Sequence, residues 1–272
     1  MRLTVVVDDL AAGRGMLGEH GLSVLLEAGD ERLLFDTGQG MALSTNLQRL
    51  EVDPAGIGTC VLSHGHYDHT GGLDWLLRHS PDCRVVAHPA AFREMWSLSG
   101  GSHRIGCPSG RPQDAALRLS ADPVELLPGV MTTGEVPRRN TFETVPEHFV
   151  DAGGAHDDIP DDMGLVIAAS DGPVLLAGCA HSGVVNMAER AGELAGRPPV
   201  VVVGGLHLRG EGANRIERTG SRLAAMGVRA LFCGHCTGES QLCELAGHFE
   251  VCRRIHTGFT LDLSGETNGM LG

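Results

Sequence analysis

Six positions constrain this chain most: His64-Gly65-His66-Tyr67-Asp68-His69 sets three imidazoles and a carboxylate between an apolar run and an amphipathic one. Upstream, Thr59-Cys60-Val61-Leu62-Ser63 is short, apolar and partly β-branched, as a buried strand is; after Gly71-Gly72, Leu73, Leu76 and Leu77 recur at helical spacing. The stretch is therefore a strand-to-helix loop. His64 and His66 are two apart, so an extended loop sends both rings to one side, where they can hold one ion, while the adjacent Asp68 and His69 diverge toward a second. One loop can serve two ions. The glycines after His69 let the backbone turn tightly into the helix, whose N-terminal dipole favours the Asp68 carboxylate.

The same residues spell the HxHxDH signature of the metallo-β-lactamase fold, and the chain resembles that superfamily. Flanking motifs are similar to the branch typified by 7,8-dihydropterin-6-methyl-4-(β-D-ribofuranosyl)aminobenzene-5'-phosphate synthase. They are Glu19-His20-Gly21-Leu22-Ser23, Leu34-Phe35-Asp36-Thr37-Gly38, Thr133-Gly134-Glu135-Val136-Pro137-Arg138, Gly178-Cys179-Ala180-His181-Ser182-Gly183, Gly204-Gly205-Leu206-His207-Leu208 and Gly234-His235-Cys236-Thr237-Gly238. The resemblance implies an α/β fold, a four-layer αββα sandwich; no long polar linker divides the chain, so a single domain is expected over 1–272.

In that superfamily a histidine before the hairpin that begins near Leu165 completes one ion, an aspartate ending the hairpin bridges both, and a late histidine completes the second. This chain departs twice. At the first place it has an acidic loop ending in Asp162, with His148 and His156 more distant; at the second it has Cys179, followed by His181. The expected metal ligands are thus His64, His66, Asp68, His69, His181 and His235, with Cys179, Asp162 and His20 as further candidates, and Asp68 and His207 as catalytic residues. The resemblance also makes Asp36 a support for the ligand loop; an Asx turn is the local alternative. The imidazole-rich set favours two Zn²⁺ ions, with Mn²⁺ or Fe²⁺ left open by the hard oxygen of Asp68.

Charge and composition narrow the function. The net charge of −13 argues against nucleic acid as a partner, and the absence of lysine excludes Schiff-base and P-loop chemistry. The N-terminus turns acidic at Asp8-Asp9, before a signal peptide's apolar core would be complete, and no run reaches membrane-spanning length. A cytoplasmic enzyme is expected, its eight cysteines reduced. Its expected substrate is small and anionic or heterocyclic, acted on by a hydrolase or a dihydropterin synthase-like transferase. A non-catalytic metal-binding sensor or scaffold and a di-iron redox protein are the alternatives.

Along the chain, strands are expected over 3–7, 22–27, 32–35, 84–87, 131–136, 165–169, 174–177, 200–203, 229–233 and 259–263. Helices are expected over 46–50, 73–79, 184–195 and 214–226, with another running from His88-Pro89 through Trp96. Periodicity fades over about 98–128, which reads as a substrate-covering insertion. Arg104 and Arg111 within it, and Arg138 beyond, are the expected contacts to a substrate anion. His88 is expected to be structural.

Overall fold

The computed structural model describes residues 1–113 and 115–263; the last positions of the expected domain, 264–272, lie outside them. Two seven-stranded sheets face each other. Strands Ser23–Ala28 and Glu31–Phe35 form a hairpin in the first, joined in parallel by Thr59–Val61 and Arg84–Ala87, with Arg2–Val7 and Thr260–Asp262 on the other side. In the second, the hairpin Gly164–Ile167 and Val174–Ala177 leads into three further parallel strands, Val201–Gly204, Ala230–Cys233 and Val251–Arg254.

Side-chain alternation sorts these strands into layers. Val24, Leu26, Leu33 and Phe35 join Val174, Leu176, Val201, Val203, Ala230 and Phe232 in one core between the sheets. The intervening residues point outward. Leu25 and Leu34 meet Leu43, Leu47, Leu73 and Leu76 from the helices Leu43–Arg49 and Leu73–His79. Leu175, Val202 and Leu231 meet Val184, Ala188, Ile216, Leu223 and Leu242 from Val184–Ala195, Ala213–Met226 and Glu239–Leu245. The architecture is therefore the αββα sandwich expected from the sequence. At about 25 cal/mol per Å² of apolar surface, three such cores supply the main driving force for folding.

Two expectations need correcting. The helix placed from His88 through Trp96 is a single 3₁₀ turn, Pro89–Phe92, followed by strand Met95–Ser97, which pairs with Phe149–Asp151 and His103–Arg104 in a small third sheet. Burial of Met95 and Ser97 with Trp96 half-exposed is a period of two, and it overrides the helical reading. The stretch 98–128 is not irregular throughout. Ala116–Leu119 extends the first sheet beside Arg84–Ala87 and Glu125–Leu127 edges the second. Leu117 and Leu119 alternate onto the outer core of the first sheet, a signal too short to stand out among the flanking prolines and glycines.

Candidate metal centre

Parallel strands end together, and their C-terminal ends carry the chemistry. Thr59–Val61 runs into Ser63 and His64, Val174–Ala177 into Cys179 and His181, Val201–Gly204 into His207, and Ala230–Cys233 into His235. Asp36, Ala180, His207 and His235 all adopt positive φ, between 47° and 61°. For side-chain-bearing residues this is strained backbone, concentrated here where strand ends must turn their side chains inward. The glycines leave room for it: a Cβ on Gly65 would lie 1.9 Å from the Ala91 carbonyl oxygen, and one on Gly178 would lie 2.2 Å from Ser63 Oγ.

The ligand candidates assemble into two neighbouring groups. His64, Cys179 and His181 place ligand atoms within 4.8 Å of one another, as do His69, Cys179 and His235. His66 packs against the first group, its ring centroid 4.5 Å from that of His64 and 4.9 Å from that of His181. Asp68 joins the second: its Oδ2 is 3.3 Å from His235 Nε2 and 3.7 Å from His69 Nε2. The six expected ligands and Cys179 thus converge from three segments, and all are buried.

Their free atoms fit a cation. His64 Nε2, His66 Nε2 and both ring nitrogens of His181 are buried with no hydrogen-bond partner. Burial pushes the His64 and His181 pKa values well down, and that of His66 to about 4, so these rings are neutral ligands. In the second group, His69 Nδ1 lies 2.7 Å from Asp36 Oδ2 and His235 Nδ1 lies 2.7 Å from Asp9 Oδ1. With each Nδ1 committed to a carboxylate, the two Nε2 atoms meet at 3.2 Å, and His69 Nε2 lies 3.2 Å from Cys179 Sγ. Facing lone pairs repel unless positive charge comes between them. Burial opposes a proton at His69 and His235, yet neighbouring Asp68 and Asp36 outweigh it at His69, and Cys236, Asp68 and Asp9 do so at His235, raising both. The pocket is built to take positive charge, and a divalent ion in each group would serve His64 Nε2, one ring nitrogen of His181, and the facing Nε2 atoms of His69 and His235.

The supporting layer is as specific as the ligands. Asp36 also accepts from the Ser63 amide and hydroxyl, each at 2.7 Å, so one carboxylate fixes a ligand ring and the entrance of the ligand loop. Asp161 accepts from Gly65 N at 2.7 Å and pairs with Arg93, which also grips Asp157. Glu19 accepts from the amides of Gly40, Met41 and Ala42, seating the loop that carries His20. Asp8 accepts from His235 N at 2.9 Å.

The sequence reading passed over Asp8, Asp9 and Arg93. Asp8-Asp9 ends the first strand at the same edge of the sheet as the ligand loop, which was the available signal; for Arg93 there was none.

Above the two ligand groups lies a cavity of about 190 Å³, lined by His20, His66, Tyr67, Asp68, Ser97, His103, Ile105, Phe149, Cys179, His181, His207, His235 and Cys236. His207, half-buried, stands with its ring 4.3 Å from that of His181, its pKa pushed by burial to about 4. His20 reaches both Asp9 and Asp68 at 3.3 Å, on the cavity wall. His88 is elsewhere, its Nδ1 accepting from Ala90 N at the head of the 3₁₀ turn.

Four expected residues are not brought to this cavity. The Arg138 guanidinium donates to the backbone carbonyls of His181, Asp158 and Ile159, because these three end on its side of the acidic loop. Arg104 is exposed and donates to the Cys107 carbonyl, and Arg111 is exposed. Asp162 accepts from the Ser182 amide and hydroxyl behind the ligand layer and faces a separate cavity with Arg138.

Residues 17–235 match the family model of the metallo-beta-lactamase superfamily. The chain belongs to that superfamily. Among curated relatives, 7,8-dihydropterin-6-methyl-4-(β-D-ribofuranosyl)aminobenzene-5'-phosphate synthase of Methanocaldococcus jannaschii is 30% identical over 260 residues, covering 88% of each chain. An uncharacterized protein of the same organism is 30% identical, over 90% of this chain and 93% of its own. Among solved structures, Tm1679, a metal-dependent hydrolase of the β-lactamase superfamily, aligns with TM-score 0.86 and 27% identity over 97% of this chain and 100% of its own. The fold protein YhfI of Bacillus subtilis aligns at TM-score 0.59 and 13% identity over 96% and 99%, a likeness of fold. Among the described residues no helix is long and apolar enough to cross a membrane.

Proposed function

We propose that this metallo-β-lactamase-fold protein is a metal-dependent enzyme with a dinuclear centre, hydrolysing or transferring a group on a small anionic or heterocyclic substrate. The observation that carries this is the pair of ligand groups beneath one cavity, the first with buried nitrogens that have no partner and the second with two Nε2 atoms facing each other at 3.2 Å. His64, His66 and His181 would hold one ion, and Asp68, His69 and His235 the other, with zinc the best match to so many imidazoles. When bound, the ions supply charge that polarises a substrate oxygen and lowers the pKa of a water.

The chain's own residues do the rest. Asp36 and Asp9 hold His69 and His235 in one ring orientation, which leaves Nε2 as the ligand atom in each. His207, a neutral imidazole at the wall, contacts the substrate and can donate or accept one hydrogen bond. Tyr67 and Phe149 offer the cavity two aromatic faces, and His103 and Ile105, from the segment expected to cover the substrate, close its outer side. Among the described residues no arginine lines this cavity, so an anionic substrate end meets the ions and imidazoles instead of Arg104, Arg111 or Arg138.

The relative's synthase chemistry joins two ring systems, and the aromatic wall with its histidines is the feature that favours a heterocycle. The decisive assay uses chelated protein reloaded with Zn²⁺ or Mn²⁺, against activated phosphodiesters, esters and lactones and, separately, the dihydropterin diphosphate with its ribofuranosylaminobenzene phosphate partner. Turnover restored by two equivalents of metal supports the reading. Metal uptake without turnover of any of them would replace it with a non-catalytic metal-binding role.

A further inference from the structure

Cys179 stands where both ligand groups meet. Its Sγ belongs to the group with His64 and His181 and equally to the group with His69 and His235, and the side chain is 3% exposed. We infer that the Cys179 sulfur bridges the two ions as a thiolate, so that this centre is a sulfur-bridged pair. The inference rests on the dinuclear reading above and adds to it the identity of the bridge.

Three observations carry it. First, the sulfur is 3.2 Å from His69 Nε2, a contact that a shared ion would convert from a marginal hydrogen bond into common coordination. Second, the partners on its other flank, His64 Nε2 and the His181 ring nitrogens, are buried and unpartnered, so nothing else there competes for an ion. Third, a sulfur about 2.3 Å from each ion spans the roughly 3.5–4 Å separation that two-metal sites use. Asp68 makes its short contacts with His235 and His69 of the second group and with His20; toward the first group it has only a longer-range attraction to His66. No other side chain belongs to both groups, among the described residues.

The strand geometry explains the placement. Gly178 and Gly205 pack so closely that a Cβ on Gly205 would sit 2.4 Å from the Gly178 carbonyl oxygen. This close approach pins the turn after Val174–Ala177 and directs Cys179 to the midline between the groups. Cys236 is the sulfur's hydrogen-bonding neighbour, and it also accepts from His207 N at 3.2 Å and donates to the Cys179 carbonyl. A thiolate bridge biases the centre toward soft and borderline ions such as Zn²⁺, Co²⁺ and Cd²⁺ and against Mn²⁺. Binding of the first ion releases the thiol proton to solvent; no oxidant or reductant takes part.

Metal-free full-length protein titrated with Cd²⁺ tests this by ultraviolet absorption and cadmium NMR. The expected result is a sulfur-to-metal charge-transfer band that grows through both the first and the second equivalent, with both cadmium resonances shifted downfield into the thiolate range. Cys236→Ser should keep these signals and Cys179→Ser should lose them. Cys179→Asp should still bind two ions, without the band, and shift competition between Mn²⁺ and Zn²⁺ at least tenfold toward Mn²⁺. Two bound ions with no sulfur signal, or with one shifted resonance only, would overturn the bridge and leave the dinuclear reading intact. Fewer than two bound ions in the wild-type chain would overturn both. Because the wild-type measurement decides, a poorly folding variant does not blunt the test.

Discussion

Asp36 Oδ2 lies 2.7 Å from His69 Nδ1, and both side chains are fully buried. One carboxylate reaches across 33 positions to set the ring of a ligand candidate, and it holds Ser63 at the same time. Its contribution is to metal binding and to the fold together.

Asp36→Asn keeps the shape but exchanges a charged acceptor for a neutral amide that also presents donors. Metal affinity should fall about 10- to 100-fold, the usual effect of losing a carboxylate behind a ligand histidine. Competition with a chromophoric chelator reads this directly; unchanged affinity would show that Asp36 supports only the chain turn.

Asp9→Ala should discriminate between the two proposed ion sites. Asp9 contacts His235 of the second group and His20 on the cavity wall, and none of His64, His66 or His181. Plasma emission analysis after dialysis should show stoichiometry falling from two ions toward one. Equal loss of both would mean that the sites fill only together.

Acid should destabilise the metal-free protein in a definite window. His64 and His181 have pKa values well below the ordinary imidazole range and His66 and His207 titrate at about 4, all through burial first. The unfolded chain protonates these near pH 6.5, so between about 6.5 and 4 it binds protons the folded chain refuses, and stability falls as pH falls. Asp162, which burial raises to about 6, and Asp8 and Glu143, which burial also raises, work in the opposite sense, but they are three acids against five lowered histidines, His148 included. The raised His69 and His235 add stability that is fully present throughout that window and is lost only at higher pH. Thermal midpoints of chelated protein across this range should drop steadily; bound metal should shift the drop to lower pH.

Arg138→Ala should lower stability without selecting against anions. Its guanidinium donates to three backbone carbonyls that join the acidic loop to the His181 turn, worth about 1–2 kcal/mol in total. Denaturant midpoints should fall, while KM ratios for charged and neutral substrates stay level. A selective rise in KM for the anionic substrate would return Arg138 to the substrate-binding role that its place in the sequence suggested.

The sequence by itself determined which runs form strands and which loop is the candidate ligand loop. The apolar runs in Val24 to Phe35 and Val174 to Ala177 read as buried strands, the layers followed from the resemblance to the superfamily, and spacing makes His64, His66, Asp68 and His69 a two-directional candidate ligand set, because these are properties of residues close in the chain. Strand-end position then marked Cys179, His181, His207 and His235. Tertiary structure alone decided what faces what: Asp9 meets His235 from 226 positions away, and Cys179 lies between the two ligand groups. Tertiary structure also turned Arg138 away from the cavity toward backbone carbonyls and made 116–119 an edge strand. Such pairings depend on how two sheets pack and how their strand ends align, and no local period records that alignment.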